Sequence, residues 1–178
     1  MEKFKEYLER KDLHFKTVLD VGAWCGTWSN DMSKYADTVH AFEPDALHYE
    51  CLLKNKKENV IPHLCAVGSQ KAKVSLVENE KNFTQEKRVV PEGDILMTTV
   101  DSFALENIDL IKIDVEGYEM EVLKGGHKLL ENIEFVMIEL NNNSKRYGSN
   151  NIEIEEYLKS LGFKELIKTW PDIVYYKS

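Results

Sequence analysis

Five short apolar runs punctuate this chain: TVLDVGA (17–23), TVHAFEP (38–44), VIPHLCAVG (60–68), DLIKIDV (109–115) and EFVMIEL (134–140). Near-continuous Val, Ile and Leu runs belong to parallel strands covered on both faces. Parallel neighbours need long crossovers, and helices supply them while covering the sheet. The spacing predicts those helices at Thr27–Tyr35, Ala46–Lys57 and Tyr118–Leu130, with Asp45 placed to cap the second. The expected architecture is an α/β three-layer sandwich around a mostly parallel sheet.

The flanks fit the same plan. Residues 3–13 form an amphipathic helix carrying Phe4, Tyr7 and Leu8 on one side. Residues 71–100 are polar with short β patterns (KVSLVE, ILMTTV), expected to form a hairpin or an excursion from the sheet. Near the end, a helix from Ile152 to Leu161 is closed by Gly162. FKELIK and DIVYYKS then meet through a turn at Pro171 as an antiparallel C-terminal hairpin. No repeat, linker or second domain is visible, so residues 1–178 read as one domain, a helical 1–16 followed by a 17–178 core.

Composition narrows the function. A chain that is 43% hydrophobic and 30% charged is globular, and its net charge of -8 with scattered Lys and Arg argues against nucleic-acid partners. MEKFKEYLERKDLHF has no apolar h-region and no run approaches a membrane span, so a cytoplasmic protein with no membrane partner is expected. The three cysteines, Cys25, Cys51 and Cys65, suit a reducing compartment, and no CxxC or HxxxH pair offers a structural zinc site. His40 and His63 read as ordinary semi-buried residues.

The fourth run breaks the rule that it otherwise follows. Lys112, Asp114 and Glu116 alternate with Ile111, Ile113 and Val115, so period two gathers three charges on one face. Burying such charges is expensive without partners, water or a ligand. Ligands in open α/β sheets lie beyond the carboxyl ends of the strands, which is where this face leads.

A second signal sits at the end of the first run. DVGAWCG (20–26) is a glycine turn, spaced G-x-x-x-G rather than as a dinucleotide G-x-G-x-x-G or a phosphate-cradling P-loop. Glu43 ends the second run, about 20 residues on, where a carboxylate can accept both hydroxyls of a ribose. The pair points to a nucleoside cofactor, NAD or S-adenosylmethionine (SAM). Three features favour SAM: the missing middle glycine, the acids Asp20 and Glu43 for a sulfonium and an ammonium group, and small residues at Cys65-Ala66-Val67-Gly68 to flank adenine.

VLDVGAWCGTWS, AFEPD, CAVGS, TTVDSF, DLIKIDVEGYEMEVLKGG and FVMIEL, in that order over about residues 17–140, resemble the FkbM-type SAM-dependent methyltransferases. The resemblance implies a class I methyltransferase (Rossmann-like) fold and O-methylation of hydroxyls on sugars or small metabolites. It sets Asp20, Gly22, Ala23, Trp24, Gly26 and Thr27 on the SAM turn and Glu43 with Pro44 at the ribose. Ala66 and Val67 fall beside the adenine, Asp114 and Glu116 beside the transferred methyl, and Glu139 on the acid ending the next strand. Trp24 stands where the family usually has a small polar residue, so its indole is expected to cover the cofactor instead.

The candidate chemistry follows from these positions. An attacking hydroxyl must lose its proton as the bond forms, and Asp114 is placed to take it or to orient the hydroxyl. Lys112 either pairs with Asp114 or, with a depressed pKa, is itself the base. The plainer alternative is a structural Lys112–Asp114 pair with Glu116, Glu119 and Glu121 on a solvated helix start. Asp114, Glu139 and Asn141 could hold Mg²⁺, although a divalent cation is not expected. Tyr118 either lines the acceptor site or packs, and NNNSKRYGSNN (141–151) is a second candidate for acceptor contact. The alternatives are an NAD-linked oxidoreductase and a catalytically silent nucleotide-binding domain.

Overall fold

The computed structural model describes residues 2–78 and 87–177. Helix α1 (Glu2–Lys11) precedes β1 (Phe15–Val21), α2 (Thr27–Met32), β2 (Ala36–Phe42), α3 (Ala46–Asn55) and β3 (Val60–His63). Next come β4 (Ala66–Val67), β5 (Ala72–Glu78), β6 (Lys87–Pro91), β7 (Ile95–Thr98) and β8 (Ile108–Ile113). The chain ends with α4 (Glu119–Gly125), α5 (His127–Asn132), β9 (Phe135–Glu139), α6 (Asn151–Ser160), β10 (Lys164–Thr169) and β11 (Asp172–Tyr176). None of the helices among the described residues is long and apolar enough to cross a membrane.

The main sheet has seven strands in the order β10-β11-β9-β8-β1-β2-β3. Five of them, β9, β8, β1, β2 and β3, run parallel, and the β11–β10 hairpin extends the sheet beyond β9, with β11 antiparallel to β9. From β1 the chain moves outward through β2 and β3, then returns to β8 on the other side of β1. That reversal opens a crevice beyond the carboxyl ends of β1 and β8.

Alternation along the strands builds the two cores. Leu19, Val21, Ile111, Ile113, Val136 and Ile138 face α4, α5 and α6 through Val122, Leu123, Leu130, Ile154 and Leu158. Val18, Val39, Leu110 and Met137 face α1, α2 and α3 through Phe4, Leu8, Met32 and Leu52. Each fully buried aliphatic side chain contributes roughly 1.5–3 kcal/mol relative to exposure. His40 and His63 are packing groups: their rings stack, Nδ1 to Nε2 at 2.9 Å, and burial holds His63 neutral, down at about 4.

Three boundaries differ from the sequence reading. The run at 60–68 divides, because after His63 the chain leaves the main sheet and Ala66–Val67 pairs with β7 in a separate sheet of order β4-β7-β5-β6. The excursion at 71–100 is therefore most of a second sheet, whose 79–86 connection lies outside the described residues. The helix expected over Tyr118–Leu130 breaks at Gly126, where Asp101 accepts the backbone N–H groups of Lys128 and Leu129, both at 3.0 Å, and starts α5 afresh.

Candidate active site

The turn after β1 is shaped by what it lies against. Gly22 has φ +86°, and a Cβ there would sit 1.8 Å from the Asp114 carbonyl oxygen. Its N–H and that of Ala23 both donate to Phe42 O at 3.0 Å, pinning the turn across the ends of β1 and β2. Trp24, at φ 49°, donates its N–H to Glu43 Oε2 at 2.8 Å, and Asp45 N–H donates to Oε1 at 2.9 Å. Glu43 is thus fixed at the end of β2 with a second lone pair on each oxygen still able to accept. Burial pushes its carboxyl up to about 7, against the two backbone donors that favour the charged form.

These groups wall a cavity of about 470 Å³, a size that suits a small-molecule ligand. Gly22, Trp24, Glu43, Pro44, Ala66 and Val67 line it, and so do Asp114, Glu116 and Tyr118. The roof comes from the second sheet, through Leu76, Lys87 and Val89. Tyr147 braces it, donating its hydroxyl to Val89 O at 3.1 Å and meeting Tyr118 edge-on at 4.9 Å.

The charges of the fourth run resolve into a chain of pairs. Lys112 Nζ lies 3.0 Å from Asp114 Oδ2 and 3.4 Å from Asp20 Oδ1, and Ser29 Oγ donates to the other Asp20 oxygen at 2.5 Å. Burial works to discharge Lys112, but Asp20 and Asp114 outweigh it and hold the ammonium well above its ordinary pKa. Lys112 is therefore a cation, which corrects the reading of it as a base with a depressed pKa. Beyond Ile113 the strand ends, and Glu116 turns at φ 55°, so it reaches the site through a loop rather than by alternation.

Asp114, Glu116 and Glu139 converge, one oxygen from each lying within 4.8 Å of the others. Burial first, and the nearby Asp114 charge second, push Glu139 up to about 8, so this cluster keeps a proton at neutral pH. Asn141 Nδ2 donates to Glu139 at 2.8 Å and Asn143 Nδ2 to Glu116 at 2.9 Å. Asn141 and Asn143 of the Asn-rich segment thus buttress the acids. These three carboxylates are the described residues that could hold a cation.

Not every expected residue reaches the cavity. Asp20 is fully buried, paired with Lys112, and is not part of the lining. Ala23 packs in the core, while Gly26 caps α2 and Thr27 opens it, and none of the three is part of the lining. Glu139 and Lys112 stand one layer behind Asp114. Glu119, expected on a solvated helix start, is instead buried and accepts the Gly117 N–H at 2.8 Å. Lys87, Val89, His48 and Tyr147 were not singled out from sequence, and no local pattern marks them.

The sequence matches the methyltransferase FkbM domain over residues 20–165. The chain belongs to this family. The hexuronic acid methyltransferase AglP of Haloferax volcanii is 31% identical over 130 residues, 68% of this chain and 54% of that protein. The chain thus spans about half the length of this curated relative. Among solved structures, an FkbM methyltransferase from Methylobacillus flagellatus superposes with a TM-score of 0.62 at 17% identity, over 91% of this chain and 43% of that one. Sp1610 of Streptococcus pneumoniae, solved with S-adenosyl-L-methionine, gives 0.56 at 14% identity over 99% and 72%. At these identities the structural likenesses carry the fold, a Rossmann-like methyltransferase sheet.

Proposed function

We propose that this FkbM-family chain transfers a methyl group from SAM to a hydroxyl oxygen of a sugar or glycan acceptor. The observation that carries the reading is that one cavity is lined both by a fixed ribose-type acid, Glu43, and by a paired carboxylate, Asp114. The donor set suits the cofactor. Glu43 offers acceptors to ribose hydroxyls, Ala66 and Val67 offer a slot for a flat base, and the Trp24 indole offers cover. Bound SAM supplies an electrophilic methyl for in-line displacement, in which positioning alone can contribute ~7–11 kcal/mol.

The chain's own residues supply the rest. Asp114, held by Lys112, orients the acceptor hydroxyl and receives its proton. Glu139 holds a proton beside it and so limits the repulsion in the cluster. A carboxylate acceptor would need no proton removed, whereas Asp114 is placed to receive one, which favours a hydroxyl. The net charge of -8 and the acidic floor support a small acceptor over a nucleic acid.

Two outcomes test this reading. Incubation with methyl-labelled SAM and uronate-containing glycans is expected to give an alkali-stable methyl ether, identified by mass spectrometry. An alkali-labile methyl ester, or no transfer to any sugar hydroxyl, contradicts it.

Cofactor affinity is also expected to depend on pH through Glu43. In the free protein its carboxyl titrates at about 7, and ribose hydroxyls bind its charged form. Affinity for SAM therefore holds above that pH and weakens below it, by up to ~10-fold per unit. Calorimetric titrations one unit to either side check the sign, and Glu43→Gln is expected to flatten the profile.

A further inference from the structure

Two thiols meet where the turn after β1 crosses α3. The backbones approach closely there: a Cβ built on Gly26 would lie 3.9 Å from Leu52 Cα and 2.4 Å from its Cδ1. Cys25 precedes Gly26 and Cys51 precedes Leu52, so the same crossing brings the two cysteines together. Asn55 spans the pair, its Nδ2 lying 3.3 Å from Cys51 Sγ and 3.4 Å from Cys25 O. Both thiols are partly exposed, whereas Cys65 is buried.

We infer that Cys25 and Cys51 form an oxidisable dithiol, a modification site whose disulfide ties the glycine turn to α3. A disulfide requires close Cα atoms, and the backbone crossing of Gly26 with Leu52 sets the adjoining cysteines side by side. Partial exposure lets a small oxidant reach the sulfurs, and the class of oxidant is a peroxide. Cys25 keeps its proton, since burial and the Cys51 neighbour push its thiol up to about 11. Cys51, whose sulfur accepts from Asn55 Nδ2, attacks first. Its sulfur takes one peroxide oxygen as the O–O bond breaks, giving a sulfenic acid and one water. Cys25 sulfur then displaces that oxygen as a second water, forming the S–S bond. Two thiols and one hydrogen peroxide become one disulfide and two waters.

The inference is independent of which ligand the cavity takes. Its consequence is a covalent clamp on the turn that carries Trp24 and Gly22, closed and released by redox state. Because one Asn55 amide already reaches both cysteines, closure should fit the native fold and stabilise it by restricting the unfolded chain.

The test compares the folded wild-type chain before and after hydrogen peroxide. Intact mass is expected to fall by two hydrogens, with a mapped Cys25–Cys51 peptide link that dithiothreitol reverses. Tm of the oxidised form should rise by several degrees. Cys51→Ser should show neither the link nor the rise, and Cys65→Ser should keep both. Oxygen addition to separate thiols, links through Cys65 or to a second molecule, or a lower Tm on oxidation would each overturn the inference. The comparison of oxidised with reduced wild type needs no variant to fold.

Discussion

Gly22→Ala is expected to be the most damaging single substitution in the chain. Two penalties coincide at this residue. Its φ of +86° is one that L side chains rarely adopt, and the new Cβ would sit 1.8 Å from the Asp114 carbonyl oxygen and 2.8 Å from its carbon. Both are backbone atoms at the end of β8, so no side chain can swing aside. The turn would have to lift away from β8, breaking the paired Gly22 and Ala23 bonds to Phe42 O. Conformational strain of ~1–3 kcal/mol and overpacking of ~1–3 kcal/mol add to several kcal/mol. At roughly 2–4 °C per kcal/mol for a domain of this size, thermal unfolding should fall by about 10 °C or more. Gly148→Ala is the internal control: it also has positive φ, 78°, but nothing lies within 4 Å of its added Cβ. It should lose only the conformational part. Equal losses at the two sites would show that close approach to Asp114 does not shape the turn.

Asp114→Asn is expected to remove turnover while leaving the cofactor bound. The amide keeps the size of the carboxyl group and the backbone against which Gly22 packs. It cannot accept the hydroxyl proton, and it no longer neutralises Lys112. General-base contributions of this kind are worth ~10²–10⁴-fold in rate. The loss should fall in kcat, with SAM affinity changed by no more than a few-fold. Unchanged turnover on a true acceptor would remove Asp114 from the chemistry, and a parallel loss of SAM affinity would make it a binding residue instead.

The sheet and two acids of the cavity were legible because their signals are local. Period two placed Lys112 beside Asp114 and set both opposite Ile111 and Ile113, which the ion pair and the two cores bear out. Glu43 was legible from its place after the glycine turn and at the end of the next strand. What stayed hidden depends on distant packing. Alternation could not show that Lys112 reaches Asp20 across 92 residues and that Asp20 lies outside the lining. Alternation could not reveal the turn at Glu116, which leaves the strand before its third charge. The polar stretch after Lys71 read as strands, yet only the pairing of β4 with β7 brings Leu76, Lys87 and Val89 over the site. Glu119 looked solvated because acids favour helix starts, and its burial follows from closing the loop at Gly117.

The central claim is that one cavity holds SAM by Glu43 and turns its methyl toward Asp114. The most direct measurement is calorimetric titration of the wild-type chain and Glu43→Ala with SAM and, separately, with NAD. Micromolar binding of SAM to the wild type, loss of that binding in Glu43→Ala, and no heat from NAD are expected. Binding of NAD, binding of neither, or SAM binding that survives Glu43→Ala would contradict it.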